Sequence, residues 1–120
     1  AGQYFSIQKN WKNGDIVEIM FDLQIRALRS DGRNDNRVSL YYGPMLLAID
    51  KRYNPNASDS LRVSMEQSPF ELVSTEDVTY PNPYLKIKAT LRDGTNIYLT
   101  DYSSCGMTRT EYYTWFYLAD

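Results

Sequence analysis

Three observations predict an all-β fold, an antiparallel β-sandwich. Tyrosine occurs 11 times in 120 residues, and tyrosine, valine, isoleucine and threonine suit a pleated, half-buried surface. Apolar and polar residues alternate with period two: Ile19, Phe21, Leu23, Ile25 and Ala27 are apolar, with polar Asp22, Gln24 and Arg26 between them. That alternation puts one face of a strand on a core and the other in water. Good turn formers separate the runs, at Asn13-Gly14-Asp15, Asp31-Gly32, Asn54-Pro55-Asn56, Pro81-Asn82-Pro83 and Asp93-Gly94.

Eight strands are expected. The first, 4–8, begins with the aromatic pair Tyr4-Phe5. The second, 15–28, enters through the Gly14-Asp15 turn. The third, 37–49, is long and can break at Gly43-Pro44, because proline donates no hydrogen bond to a central ladder. The fourth, 61–66, alternates Leu61, Val63 and Met65 with Arg62, Ser64 and Glu66. The fifth is 70–75. The sixth, 84–91, sets Leu85, Ile87, Ala89 and Leu91 on one face and Lys86 and Lys88 on the other. Asp93-Gly94 joins it to the seventh, 96–102, as a hairpin. The eighth is 111–118; residues 108–118 contain neither glycine nor proline and could be helical, but their threonines and aromatics favour a strand. Short strands at this spacing imply a sandwich or a barrel.

The length supports one domain over 1–120, able to bury roughly two-thirds of its unfolded surface. Hydrophobic residues make up 42% of the chain, which excludes a disordered composition. Thirteen lysines and arginines against 15 aspartates and glutamates give a net charge of −2. That balance speaks against a nucleic-acid partner, which needs a basic stripe. Apolar runs such as 45–49 are far too short to span a membrane. No signal peptide opens the sequence, and Ala1-Gly2 leads almost at once into strand-like residues. The chain is therefore expected to be a fragment of a larger multidomain protein.

Candidate chemistry is sparse. Cys105 sits in a small-residue stretch, Ser103-Ser104-Cys105-Gly106, but a nucleophilic thiol needs a base, and the chain has no histidine. A small, partly buried apolar role is expected for it. One cysteine without histidine cannot hold zinc. Asp31, Asn34, Asp35 and Asn36 could offer oxygens to calcium, yet their spacing fits no EF-hand, and a polar turn is the expectation. Glu18, Glu66, Glu71 and Glu111 cannot be placed in one cleft from sequence, and a solvated face is expected. No catalytic residue, metal or cofactor is assigned. The aromatics carry more: Trp11, Tyr42, Tyr113, Trp115 and Tyr117, with Tyr41 and Tyr112, could stack on sugar rings or form core and domain contacts.

Three stretches carry a family resemblance. They are Tyr4-Phe5-Ser6-Ile7 with Trp11 and Gly14-Asp15; Tyr42-Gly43-Pro44-Met45-Leu46-Leu47-Ala48; and Asp101-Tyr102-Ser103-Ser104-Cys105-Gly106 with Tyr112 and Trp115. Together they resemble the β-sandwich that follows the catalytic barrel in glycoside hydrolase family 127, the β-L-arabinofuranosidase-like enzymes, many of them from gut bacteria. The resemblance implies that activity belongs to an N-terminal (α/α)₆ barrel, where a zinc-held cysteine nucleophile works with glutamates. None of those residues matches a position here, and Cys105 is not that nucleophile. The implied role is a non-catalytic accessory domain that braces the barrel or mediates a homodimer, in a periplasmic or secreted bacterial setting. The Tyr-rich C-terminal strand, through Tyr113 and Tyr117, is the expected docking face. The alternative is a carbohydrate-binding module presenting exposed aromatics to plant arabinan-type glycans.

Overall fold

Gly43 and Pro44 decide the centre of the fold. In the computed structural model, which describes residues 2–29, 32, 36–66, 69–76 and 81–119, they close a two-residue hairpin between β2 (Arg37–Tyr42) and β3 (Met45–Asp50). Gly43 has φ 57°. A positive φ at the first central position followed by proline at the second fits a type II′ turn, because type I′ needs positive φ at both. The expected break of strand 37–49 is thus a full reversal.

β2 and β3 pair only at Tyr41↔Leu46 and Tyr42↔Met45. Beyond that they splay, and the C-terminal segment fills the wedge. β8 (Tyr112–Tyr113) pairs with Ile49 and Asp50 of β3, and β9 (Trp115–Leu118) pairs with residues 37–39 of β2. Tyr113 and Phe116 are both buried though three apart. Strict period two forbids that, so the single strand expected over 111–118 is interrupted at Thr114. The wedge bends the sheet into a curled half-barrel of strand order β4-β9-β2-β3-β7-β6-β5.

The remaining strands are β1 (Ile25–Arg29), β4 (Arg62–Val63), β5 (Phe70–Val73), β6 (Lys86–Thr90) and β7 (Asn96–Asp101). β1 lies along β2, and β4 runs parallel to β9, which makes the sheet mixed. The β6–β7 hairpin forms where Asp93-Gly94 placed it, in register from Lys86↔Thr100 to Thr90↔Asn96. Asp93 Oδ1 accepts the Thr95 amide at 2.8 Å, and Gly94 takes φ 85°. The core gathers Leu40, Leu47, Ile49, Val63, Ile87, Leu99 and Phe116. The all-β expectation is met: among the described residues the only helical element is one 3₁₀ turn, Tyr102–Ser104. No helix there is long and apolar enough to cross a membrane.

Several strand expectations are corrected. Residues 4–8 form no strand, and 15–28 shrinks to β1. Ile25 and Ala27 reach the core, whereas β2 turns back at Gly43 and leaves the preceding residues with no ladder. Strand 84–91 starts late because the amides of Tyr84 and Leu85 bond to the Asp101 carboxylate instead of a neighbouring strand. Strand 61–66 keeps two residues, 70–75 keeps four, and 96–102 ends one residue early, where the 3₁₀ turn begins.

Candidate functional site

Two buried carboxylates hold the loops around the half-barrel. Asp50 ends β3; its Oδ1 accepts the Arg52 amide at 2.9 Å and the Thr110 hydroxyl, and its Oδ2 accepts the Gly106 amide at 3.0 Å. Asp101 ends β7; its Oδ1 accepts the amides of Tyr84 and Leu85, and its Oδ2 accepts the hydroxyls of Ser103 and Ser104, each at 2.6 Å. Burial raises the Asp101 pKa, but the bonds from Ser103, Ser104, Leu85 and Tyr84 outweigh it and hold the carboxyl below its usual range. Asn54 adds a third pin, exchanging bonds with the Tyr98 backbone at 2.7 Å in both directions. Sequence alone gives Asn54 a turn position and Asp101 a place in a motif, but no such pinning role to either or to Asp50. The signal was present in Asp101-Tyr102-Ser103-Ser104, an aspartate with hydroxyls two and three residues on, a pattern suited to local side-chain capping.

Cys105 lies beside this network. Its Sγ stands 3.4 Å from Thr100 Oγ1. Burial pushes the thiol pKa up; the Thr100 contact lowers it, and the Asp50 and Asp101 charges raise it further. The net direction is upward, so the thiol is held in its weakly nucleophilic, protonated form.

The aromatics named from the sequence separate into different places. Tyr113 is only 6% exposed, packed 6.4 Å from Phe116, and its hydroxyl donates to the Ser58 carbonyl. Burial, and secondarily the Asp59 charge, push its pKa up to about 12. Tyr113 therefore belongs to the core, and the C-terminal strand does not present it as a docking residue. Tyr117 is half-buried between the guanidinium groups of Arg37 and Arg62, each 5.9 Å from its ring. Tyr42 is half-buried against the core, and Tyr41 lies under Arg26.

Trp115 differs. It is 41% exposed, with its ring 5.3 Å from Tyr113. It borders an open cleft of about 480 Å³ lined also by Lys51, Ser58, Asp59, Glu111 and Tyr112. Lys51 and Glu111 form an ion pair at 3.1 Å across this rim, and the Lys51 amide donates to the Glu111 carbonyl at 2.9 Å.

Trp11 lies on a second feature, the arm formed by residues 2–22. A local turn organises its middle: Asp15 accepts the Lys12 amide at 2.8 Å and pairs with Lys9, whose ammonium stands over the Trp11 ring. Tyr4, Phe5, Ile7, Trp11, Ile16, Val17, Ile19, Met20 and Phe21 are all exposed, Ile16 at 88% and Phe21 at 77%. The radius of gyration, 17.9 Å, exceeds the roughly 14 Å expected of a compact chain this long.

Among the described residues no three His, Cys, Asp or Glu side chains gather as metal ligands. Asp31, Asn34 and Asp35 of the calcium candidate lie outside the described residues, and Asn36 is exposed. Glu71 pairs with Lys88 at 3.1 Å, while Glu18 and Glu66 are solvated. Comparison with known proteins found no matching family model, no matching curated protein and no matching solved structure.

Proposed function

We propose that this chain is a non-catalytic accessory β-domain of a β-L-arabinofuranosidase-like glycoside hydrolase, and that residues 2–22 dock it to the rest of that enzyme. The observation that carries this reading is the arm. Nine large apolar side chains stand in water on one continuous stretch. Burying each is worth roughly 1.5–3 kcal/mol, and contiguous apolar surface of this kind marks an interaction site.

The pattern indicates how it docks. Val17, Ile19, Phe21 and Leu23 continue the row whose next members, Ile25 and Ala27, pack on the core. β1 pairs with β2 only as far as Ile25↔Tyr42, so this row overruns the hairpin tip. A neighbouring sheet that received the arm would extend the same core and complete a two-layer sandwich. The bracing of an (α/α)₆ barrel rests on the motif resemblance, with the arm as the contact.

The test is reconstitution in trans. The chain is mixed with the separately produced catalytic domain of its parent enzyme and analysed by sedimentation. A 1:1 complex, lost in the Ile19→Ser/Phe21→Ser variant while that variant keeps its melting temperature, is the expected result. A folded chain that forms no complex, or a complex indifferent to the two substitutions, overturns the reading.

A further inference from the structure

We propose that the cleft beside Trp115 is a binding site for a neutral oligosaccharide, with one sugar ring stacked on the Trp115 indole. The inference is independent of the arm, because it rests on β8, β9 and the loop of residues 51–61.

The platform is built into the sheet. Trp115 is half-exposed while its neighbour Phe116 is fully buried, so the indole stands outward from a fixed backbone. Its strand is held by pairing of Ser39 with Trp115. Behind it lies Tyr113 at 5.3 Å, anchored by its bond to Ser58. That bond joins one wall of the cleft to the other, and the Lys51–Glu111 backbone bond joins a third segment. A site ordered before binding avoids the entropy of assembling it.

The rim selects the ligand. Asp59 and Glu111 offer acceptors and Lys51 offers donors, while the Ser58 hydroxyl is already bonded to Ser60. A sugar ring has an apolar C–H face for the indole and hydroxyls around its edge for both kinds of partner. Two carboxylates against one ammonium disfavour a phosphate or another anion. A purely apolar ligand would strip water from three charged groups without replacing their bonds. The volume, about 480 Å³, is that of a small-ligand site.

The test uses the whole chain with Trp11→Phe, so that Trp115 is its one tryptophan. Its emission is titrated with arabinan, xylan and β-glucan oligosaccharides, and with choline as a cation probe. Saturable change with at least one oligosaccharide is expected, weakened about tenfold or more by Glu111→Ala. Amide chemical-shift mapping of Trp115→Ala should show the loss of binding in a folded protein, and Trp115→Phe should keep part of it. No saturable response to any oligosaccharide overturns the proposal. So does binding that survives Trp115→Ala, or saturation by choline alone, which would make the cleft a cation site.

Discussion

Tyr113 donates its phenolic hydrogen to the Ser58 carbonyl, 55 residues away in sequence, and so ties β8 to the loop of residues 51–61. The same ring fills the core beside Phe116. Two effects can be separated. Tyr113→Phe keeps the packing and leaves a carbonyl without its donor, which should lower stability by about 1 kcal/mol. Tyr113→Ser empties the site and should cost on the order of 3–5 kcal/mol. Urea unfolding followed by circular dichroism measures both, and equal losses would show that the ring contributes nothing beyond its hydroxyl.

Gly43 and Leu23 meet where the arm leaves the sheet. A Cβ on Gly43 would lie 2.7 Å from Leu23 Cδ2, and its φ of 57° suits few L-residues. Gly43→Ala should therefore lower stability by about 1–2 kcal/mol from the backbone alone, plus a steric part. In Gly43→Ala/Leu23→Ala the steric part should vanish and the backbone part remain. A double-mutant cycle of unfolding free energies reads the difference, and additive losses would mean that Leu23 simply moves aside.

These two sites show what the sequence could and could not say. The β6–β7 hairpin was legible because Asp93-Gly94 and two clean alternations agree locally. The reversal at Gly43-Pro44 was half legible: proline signalled a break, but the turn type emerged only with the glycine's positive φ. The strand over 15–28 misled because Ile19 and Phe21 carry a strand's pattern without a strand beside them; periodicity reports what a segment can bury, not whether a partner is present. Tyr113 and Trp115 have the same spacing as two residues of one face, yet the interruption at Thr114 sends one inward and leaves the other in the cleft. The roles of Asp50 and Asp101 are not legible because a carboxylate at a strand end reads as solvated until the amides and hydroxyls that surround it are known.

Cys105 gives a chemical check on its surroundings. Burial and the two nearby carboxylates raise its pKa in the fold, so less thiolate is present at neutral pH than for an unperturbed cysteine. Alkylation by iodoacetamide at pH 7.5 should run slower in the folded chain than in the same chain unfolded in urea. It should accelerate in the Asp50→Asn variant, after correction for any unfolded fraction. A folded-state rate above the unfolded one would mean that the thiol is activated, and would reopen a nucleophilic role.

Asp101 should make stability fall on acidification. Its folded pKa lies below the unfolded value near 3.8 because four donors favour the charged form over the opposing effect of burial. The unfolded chain therefore binds the proton more readily. The stabilisation is fully present above the unfolded pKa and is lost as pH falls through the lower folded pKa. Asp101→Asn removes the charge and mismatches an amide nitrogen to hydrogen-bond donors, so at neutral pH it should cost about 2–3 kcal/mol. The gap between the parent chain and the variant should stay constant from pH 7 down to about 5, then narrow below pH 4, where the parent alone loses this term. Urea unfolding of both proteins across that range measures the gap. A gap that persists unchanged at the acid end would show that the Asp101 charge does not hold the loop; a gap that widens there would reverse the sign of the coupling and place the proton on the folded form.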